Sequence, residues 1–345
     1  MWRKSEVEEE RRRMRKKWIR KIMAVTVTAV LTSTMIVGCG NSTNGTTAAG
    51  TEAGGDKTYK IGVFQYQQHP ALDQANEGFV KALEESGLDY TLDQQNASGD
   101  PSTTQTIAQK MVNDRDDLIF AIATPAAQAV AALTKDIPTV VTAVTDPEDS
   151  GLIASNEAPG GNITGTSDLN PVKKQVELLK QLIPDAKKVG VLYCSAEANS
   201  KFQVELVKEA CKEQGLEAID FTVSNSNEIQ TVVESMVGKV DVIYAPTDNV
   251  ISNAMATVSM VATENKLPII AGEENQVTAG ALATYSVDYE MLGYKAGEMA
   301  VEILKGEKQP GDIPIGYLAE DEYPLVVNDE VAAKLGIDTS VVEIN

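Results

Sequence analysis

The chain has 345 residues, of which 43% are apolar, and its 30 basic and 50 acidic side chains give a formal net charge of −20. This apolar fraction is too high for a disordered chain, and the length suits two domains of roughly 100–200 residues each. Nucleic-acid surfaces neutralise phosphates with lysine and arginine, so the acidic balance argues against a nucleic-acid partner.

The first 38 residues differ in character from the rest, since they hold ten basic and only four acidic side chains. Their apolar run, Ile22–Val37, is shorter than the ~20 residues that span a bilayer and is typical of a signal peptide. It ends in Ile36-Val37-Gly38-Cys39, which resembles a bacterial lipobox. We expect cleavage after residue 38 and acyl chains such as palmitate on Cys39. The alternatives are an ordinary secretory signal or a short membrane anchor, and Met14 is an alternative start.

Residues 39–57 are predicted to form a flexible tether. Apart from Cys39, they are almost entirely Gly, Ser, Thr, Asn and Ala. A coil of this length has a mean reach of roughly 20–25 Å. We therefore expect the folded body to lie outside the cytoplasmic membrane, held close to it by the lipid anchor.

The remaining chain alternates short β-branched runs with amphipathic helical stretches such as Leu72–Ser86, Asn199–Gln214 and Asp288–Lys305. This alternation predicts an α/β fold of parallel sheets covered by helices on both faces. The predicted strands are Lys60–Tyr66, Tyr90–Gln94, Leu118–Ala123, Thr139–Ala143, Lys188–Tyr193, Glu217–Phe221, Val240–Ala245, Pro268–Ala271 and Ala281–Ser286.

An internal repeat divides this body into two similar units. Lys60–Val63 recurs as Lys188–Val191, and Asp117–Ala121 recurs as Asp241–Ala245. Two copies of one doubly wound α/β lobe are predicted. The alternative is that any two sheets of this kind share such patterns.

Two such lobes place the carboxyl ends of their strands around a common cleft, where ligands bind in open parallel sheets. Thr124 and Asp248 follow equivalent strands of the two lobes. With Pro125 and Ala126, Thr124 starts a helix whose free amides suit a carboxylate. Asp248 suits an ammonium group. The alternative is that each residue only caps its own helix.

Several further polar residues lie in loops that follow predicted strands. Turn or core roles are the alternatives for His69 and Asp146. His69 is the only histidine, which excludes a multi-histidine metal site. The loop candidates for ligand binding are Gln67, His69, Thr145, Asp146, Glu197, Asn199, Thr247 and Asn249.

The sequence offers no motif typical of an enzyme or a cofactor site. It has no GxGxxG, Walker, GxSxG or CxxC motif, so we predict no catalytic residue, no metal and no cofactor. Adjacent acids such as Asp116-Asp117 and Glu273-Glu274 are expected to face solvent. Cys194 and Cys211 are predicted to lie too far apart for a disulfide and to remain free thiols.

The chain resembles the type I periplasmic-binding-protein components of bacterial ABC importers, especially the lipoprotein group that binds tryptophan and other aromatic amino acids. The motifs that carry the resemblance are Ile61-Gly62-Val63-Phe64-Gln65, His69-Pro70-Ala71-Leu72-Asp73, Ala123-Thr124-Pro125-Ala126-Ala127-Gln128, Val144-Thr145-Asp146-Pro147, Gly161-Asn162-Ile163-Thr164-Gly165 and Ala283-Thr284-Tyr285-Ser286-Val287-Asp288-Tyr289.

The resemblance implies two lobes joined by a hinge of three crossings. Lobe 1 would comprise residues 58–165 with a return segment at 285–308. Lobe 2 would comprise residues 166–284 with a C-terminal segment at 309–345. The crossings are expected near Thr164–Ser167, Glu273–Thr284 and Gln309–Gly316.

The resemblance also implies ligand contacts. Thr124 and Ala126 would hold the carboxylate of an amino acid and Asp248 its amine, while Phe64, His69 or Tyr285 would contact its side chain. The only tryptophans, Trp2 and Trp18, lie in the predicted signal region. The ligand could therefore be tryptophan, tyrosine or phenylalanine, bound without a tryptophan partner.

The implied function is capture of an amino-acid-like ligand outside the membrane by a monomer that delivers it to an ABC permease and its ATPase. Two alternatives stay open. One is a ligand-sensing lipoprotein that presents its closed form to a membrane receptor. The other is a hydrolase on the same scaffold.

Overall fold

The structure is a computed structural model that describes residues 57–319 and 322–342. The predicted signal peptide, Met14, Cys39 and nearly all of the tether lie outside the described residues. Within the described ranges, every helix is too short or too polar to span a bilayer.

Lobe 1 contains a parallel sheet built from five strands: β1 (Tyr59–Gln65), β2 (Tyr90–Asn96), β3 (Leu118–Ile122), β4 (Thr139–Thr142) and β5 (Ile163–Gly165). Their spatial order is β2-β1-β3-β4-β5. The helices between them are α1 (Pro70–Glu85), α2 (Pro101–Asp114) and α3 (Thr124–Leu133). Strands β1 and β3 are largely or fully buried, which explains their continuous apolar runs.

Lobe 2 repeats this plan with α4 (Val172–Leu182), β6 (Lys188–Cys194), α5 (Ala198–Glu213), β7 (Glu217–Val223), α6 (Ile229–Met236), β8 (Val242–Ala245), α7 (Asn249–Asn253), α8 (Met255–Glu264), β9 (Ile269–Ala271), α9 (Glu274–Thr278) and β10 (Ala283–Tyr285). After α10 (Tyr289–Leu304), the chain adds β11 (Leu325–Val327) and α11 (Asp329–Leu335). The order is β11-β10-β9-β8-β6-β7, and only β11 runs antiparallel to its neighbour. The predicted α/β class is confirmed. The sequence missed β5 and β11, which have three residues each.

The internal repeat corresponds to equivalent hydrogen bonds in the two lobes. The backbone nitrogen of Lys60 donates to the Asp117 carboxylate at 2.9 Å, and that of Lys188 donates to the Asp241 carboxylate at 2.8 Å. Each aspartate backbone nitrogen bonds back to the same lysine, at 2.7 and 2.9 Å. The two lobes therefore share local geometry as well as strand order.

Helix α10 returns from lobe 2 and packs against α1 of lobe 1. Two glycines permit the close approach: a Cβ on Gly78 would overlap the carbonyl oxygen of Glu290, and one on Gly293 would overlap that of Ala75. Because each overlap involves backbone, the helices could not move aside without a shift of the main chain.

The chain crosses between the lobes three times, at residues 166–171, at 286–288 and after the 3₁₀ turn Pro310–Asp312. Two crossings lie further along the chain than the sequence suggested. Residues 273–284 belong to lobe 2, since β10 pairs with β9 and β11. The segment that follows the turn still bonds to lobe 1, where Thr164 Oγ1 donates to the Ile313 carbonyl at 2.8 Å.

The two remaining cysteines, Cys194 and Cys211, are buried free thiols, as predicted. Burial raises the pKa of each to about 11. At neutral pH both thiols are protonated, so neither is a reactive nucleophile.

Candidate functional site

A small cavity lies between the lobes at the carboxyl ends of the strands. Its volume is about 10 Å³, which is about the room that one water molecule needs. An amino acid can therefore enter only when the lobes separate. The lining residues are His69, Leu72, Ala143, Asp168, Thr247, Asp248, Asn249, Ser252, Glu273 and Tyr289.

A larger depression of about 620 Å³ lies on the outer surface of lobe 1, between α2 and Leu133 of α3. It is open and lined mainly by exposed polar side chains. We therefore take the interlobe cavity as the candidate site.

On the lobe 1 side, the helix that starts at Thr124 follows a strained connection. Ala123 adopts a φ of 80°, a backbone conformation that side-chain-bearing residues rarely adopt and that clusters at functional sites. Ala123 is the residue before the helix and Thr124 is its first residue, so the helix begins one residue earlier than the sequence suggested and Thr124 is not its cap. Thr124 is fully buried, and its hydroxyl has no hydrogen-bond partner among the described residues. A buried hydroxyl without a partner is costly unless a ligand satisfies it.

Hydrogen bonds between the lobes cross the cleft at three places. His69 Nε2 lies 3.2 Å from Asn249 Oδ1. Gln203 Nε2 donates to Thr145 Oγ1 at 3.1 Å. Asn275 Nδ2 donates to Gln74 Oε1 at 3.4 Å near the solvent edge. The structure thus has its lobes closed on each other.

On the lobe 2 side, Glu197 organises the loops after β6 and β8. Its carboxylate accepts from Asn249 Nδ2 at 2.7 Å, from Asn199 Nδ2 at 3.1 Å and from the backbone nitrogens of Asn249 and Val250 at 3.1 and 3.2 Å. Asn199 also donates to the Thr247 carbonyl at 3.0 Å. Four of the sequence-predicted site residues, Glu197, Asn199, Thr247 and Asn249, therefore form one connected network.

Asp248 caps its own short helix, as the alternative reading expected, and it also lines the cavity. Its carboxylate accepts from the backbone nitrogens of Ile251 at 2.9 Å and Cys194 at 2.6 Å, and from the Ser200 hydroxyl at 2.6 Å. It is fully buried. These three donors fix the orientation of the Asp248 carboxylate.

Four buried carboxylates, Asp168, Glu197, Asp248 and Glu273, lie in or beside the cavity. Burial raises the pKa of Asp168 to about 6 and that of Glu273 to about 7. Burial also raises the pKa values of Glu197 and Asp248, and the Asp248 charge raises that of Glu197 further. Within residues 57–319 and 322–342, no lysine or arginine forms an ion pair with any of the four. The site is therefore rich in acidic groups whose neutral forms are favoured by burial, and a cation that entered it would favour the charged forms.

The cavity adjoins the hinge through Asp168. Its carboxylate accepts from the Tyr289 hydroxyl at 2.9 Å and from Thr145 Oγ1 at 3.1 Å. Asp168 belongs to the first crossing and Tyr289 starts α10 just after the second. These contacts tie the first crossing to lobe 1 beside the cavity.

Other predicted site residues lie elsewhere. Phe64 and Ala126 belong to the lobe 1 core, and Tyr285 packs against the lobe 2 core. Asp146 stabilises a turn, where it accepts from the Asp149 backbone nitrogen at 2.9 Å. Gln67 is buried, and its carbonyl accepts from Gln65 at 2.9 Å. Pro125 is the second residue of α3, and none of these six lines the interlobe cavity.

Sequence reasoning missed Asp168, Glu273, Ser252 and Tyr289. The expectation that adjacent acids face solvent is wrong for Glu273, which is 1% exposed. Glu273 follows β9 almost directly, so its position after a strand was an available signal. Asp168 and Tyr289 carry no such signal, because only the crossings bring them to the cavity. The same expectation is wrong for Asp116, a buried residue of lobe 1 that lies 3.1 Å from Lys60 Nζ.

Within the described residues, no group of three or more His, Cys, Asp or Glu side chains is arranged to hold a metal ion.

Comparison with known proteins adds three matches. The family model described as ABC transporter substrate binding protein matches residues 60–342. A tyrosine-binding protein of Clostridioides difficile strain R20291 is 47% identical over 322 residues, which cover 92% of each chain. A Streptococcus pneumoniae ABC domain in complex with L-Trp superposes with a TM-score of 0.80 at 40% identity, over 83% of this chain and 97% of that one.

A second solved structure shows how lobe arrangement affects the comparison. The ligand-free, open structure of a Clostridium difficile substrate binding protein is 46% identical and covers 82% of this chain and 96% of its own, yet its TM-score is only 0.63. The chain is thus closer in shape to the L-Trp complex than to a more similar sequence in the open form. This agrees with the hydrogen bonds across the cleft.

Proposed function

Because the chain belongs to the ABC transporter substrate-binding protein family, we propose that it captures an aromatic amino acid for an ABC importer. It does so outside the cytoplasm and hands the ligand to a membrane permease driven by an ATPase. The observation that carries the proposal is the set of buried carboxylates without a cation around the interlobe cavity.

The carboxylates suit the ammonium group of the ligand. A buried charge without a partner costs several kcal/mol, and an ammonium group offsets that cost through charge-assisted hydrogen bonds. Asp248 and Glu273 line the cavity on the lobe 2 side. They are the proposed partners of the amine.

The carboxylate of the ligand is assigned to lobe 1. The buried Thr124 hydroxyl lacks a partner in the described chain, and it stands at the start of a helix of ten residues. The free amides of a first helical turn and the positive end of the helix dipole favour an anion. An amino acid would then bridge the two lobes, with its amine on lobe 2 and its carboxylate on lobe 1.

The aromatic side chain is supported by the relatives, since one is named for tyrosine and another was crystallised with L-Trp. Tyrosine, tryptophan and phenylalanine are the proposed ligand set. The described chain has no tryptophan, so histidine, tyrosine and aliphatic side chains must contact the ring.

Closure is the proposed signal to the permease. Contacts from both lobes to one ligand exist only when the cleft is shut, so the ligand shifts the population toward the closed form. The protein would act as a monomer, held to the membrane through acyl chains on Cys39 and a tether at residues 39–57. Cys39→Ala is expected to release it into the soluble fraction, and retention in membranes would refute the anchor.

Ligand analogues test the site directly. L-Tyrosine, tyramine, which lacks the carboxylate, and 3-(4-hydroxyphenyl)propionate, which lacks the amine, are titrated by calorimetry into protein stripped of ligand. We expect one-to-one binding of L-tyrosine and at least about a 30-fold loss for each analogue, since each loses a charged contact worth roughly 2–5 kcal/mol. Equal affinity for tyrosine and either analogue would refute the assignment, and the absence of any amino-acid ligand would refute the function.

A further inference from the structure

The cleft holds a histidine, His69, that the proposed ammonium and carboxylate sites leave unused. It occupies the position before α1 and is 7% exposed. Its Nε2 lies 3.2 Å from Asn249 Oδ1 across the cleft. Its Nδ1 is buried and has no partner within the described residues.

The orientation of the Asn249 amide is determined by Glu197. The amide nitrogen donates to Glu197 Oε2 at 2.7 Å, and the Asn249 backbone nitrogen donates to the same oxygen at 3.1 Å. Both carboxyl oxygens of Glu197 also accept backbone N–H groups, which can only donate: Oε2 accepts from Asn249 and Oε1 accepts from Val250. The amide nitrogen of Asn249 therefore faces Glu197 and its amide oxygen faces His69, an orientation assigned from the hydrogen-bond network.

The amide oxygen in turn determines the histidine tautomer. Because Asn249 Oδ1 can only accept, Nε2 of His69 must carry the hydrogen. Burial lowers the pKa of His69, although the bond to Asn249 and the nearby Asp73 charge act in the opposite direction. A neutral imidazole has one N–H group, so Nδ1 is left as a buried lone pair.

We propose that Glu197 and Asn249 are positioning residues that hold His69 in its Nε2–H form, so that Nδ1 accepts a hydrogen bond from the ligand side chain. The inference rests on the proposed function, since it takes the ligand to be an aromatic amino acid. The carboxylates of the cavity serve the charged amine. A neutral acceptor on the lobe 1 side suits a neutral donor, such as a phenol O–H or an indole N–H.

The expected consequence is discrimination against phenylalanine. A site built to accept a ligand hydrogen bond rejects an analogue that lacks the donor, because the buried acceptor stays unpaired. We expect L-tyrosine to bind about 10–100-fold more tightly than L-phenylalanine, which is the range that one buried neutral hydrogen bond supports.

Because the chain has a single histidine, its imidazole NMR signals belong to His69 and show the tautomer directly. In protein labelled with ¹⁵N-histidine, the imidazole nitrogens are recorded by NMR at pH 7.5, with and without L-tyrosine. In the tyrosine-bound, closed protein we expect a protonated Nε2 and an unprotonated Nδ1, because the bond to Asn249 crosses the cleft. A protonated Nδ1, or a doubly protonated ring, in the tyrosine-bound wild type would overturn the proposal.

Two variants separate positioning from general structure. Asn249→Ala should release the ring into a mixture of tautomers. Asn275→Ala, which removes the exposed bond to Gln74, is the matched control across the same cleft and should leave the Nε2–H form intact. An unchanged tautomer in Asn249→Ala would contradict the positioning role.

Selectivity is then measured by calorimetry as the ratio of tyrosine to phenylalanine affinity. His69→Leu should reduce the ratio to about one, and Asn275→Ala should preserve it. A ratio that survives His69→Leu would overturn the role of Nδ1. Failure of the proposed function would look different, because all amino-acid binding would be absent, whereas failure of the present proposal would leave tyrosine binding intact with another tautomer or an unchanged affinity ratio.

Discussion

The Tyr289 hydroxyl donates to the Asp168 carboxylate at 2.9 Å, and this bond joins the first and second crossings between the lobes. Both side chains are buried and both line the cavity. The bond therefore connects the hinge to the ligand site.

Tyr289→Phe should destabilise the protein, because Asp168 loses one of its two side-chain partners within a buried site. We expect the free energy of unfolding in urea to fall by about 1–3 kcal/mol. Tyr294→Phe is the matched control on the same helix, since its hydroxyl bonds to Glu85 on the exposed surface. Its effect should stay within about 0.5 kcal/mol, and equal losses in the two variants would contradict the account.

Glu273 should make stability depend on pH in a predictable direction. Burial raises its pKa to about 7 from its usual value near 4.5, so the folded state binds this proton more tightly than the unfolded state. Its stabilising contribution is complete below pH about 4.5 and is lost as the pH rises through about 7. The wild type should therefore lose up to about 3 kcal/mol relative to Glu273→Gln across this window in urea titrations.

Glu274→Gln serves as the control for Glu273, because Glu274 is the next residue and is exposed. It should leave the pH profile of the unfolding free energy unchanged. Parallel profiles for the wild type and Glu273→Gln would show that the Glu273 carboxyl does not titrate within this range.

Thr124→Val should separate folding from binding. The substitution removes a buried hydroxyl that has no partner in the described chain, so the free energy of unfolding should stay constant or rise by about 1 kcal/mol. The affinity for L-tyrosine should fall roughly 10-fold or more, because the ligand carboxylate loses a donor. Tyramine, which has no carboxylate, should bind both proteins equally. A destabilised Thr124→Val protein with unchanged affinity would contradict this role.

Gly293→Ala should disturb the contact between α1 and α10. The added methyl would overlap the Ala75 backbone, and overpacking of this kind typically costs about 1–3 kcal/mol. Gly161→Ala is the control, since a Cβ there meets open space, and it should change the free energy of unfolding by less than about 0.5 kcal/mol. Equal stability of the two variants would mean that the helices can separate without cost.

The sequence predicted the two-lobed α/β fold because its main strands are buried runs of β-branched and apolar residues with constant spacing. Lys60 and Lys188 start equivalent strands and make equivalent bonds to Asp117 and Asp241. A repeat that preserves both the strands and these aspartates can be recognised from the sequence alone. The short strands β5 and β11 could not be predicted, since pairing with neighbours defines them and their own pattern does not.

The site was only partly predictable for a related reason. Asp248 and Asn249 follow a strand directly, so their place at the cleft could be inferred from topology. Asp168 and Tyr289 reach the cavity only through the crossings, whose positions depend on tertiary contacts. The role of Glu273 was not predicted, because an adjacent pair of acids is typical of a solvated surface until the burial of one side chain is known.

Thermal unfolding of the stripped protein in the presence of each proteinogenic amino acid tests the central claim most directly. A ligand that binds only the native state stabilises it by about 2.7 kcal/mol at 100 times its dissociation constant. The account predicts a clear rise in the melting temperature with tyrosine or tryptophan and a smaller rise with phenylalanine. If no amino acid raises the melting temperature, the protein is not an amino-acid-binding component of an importer.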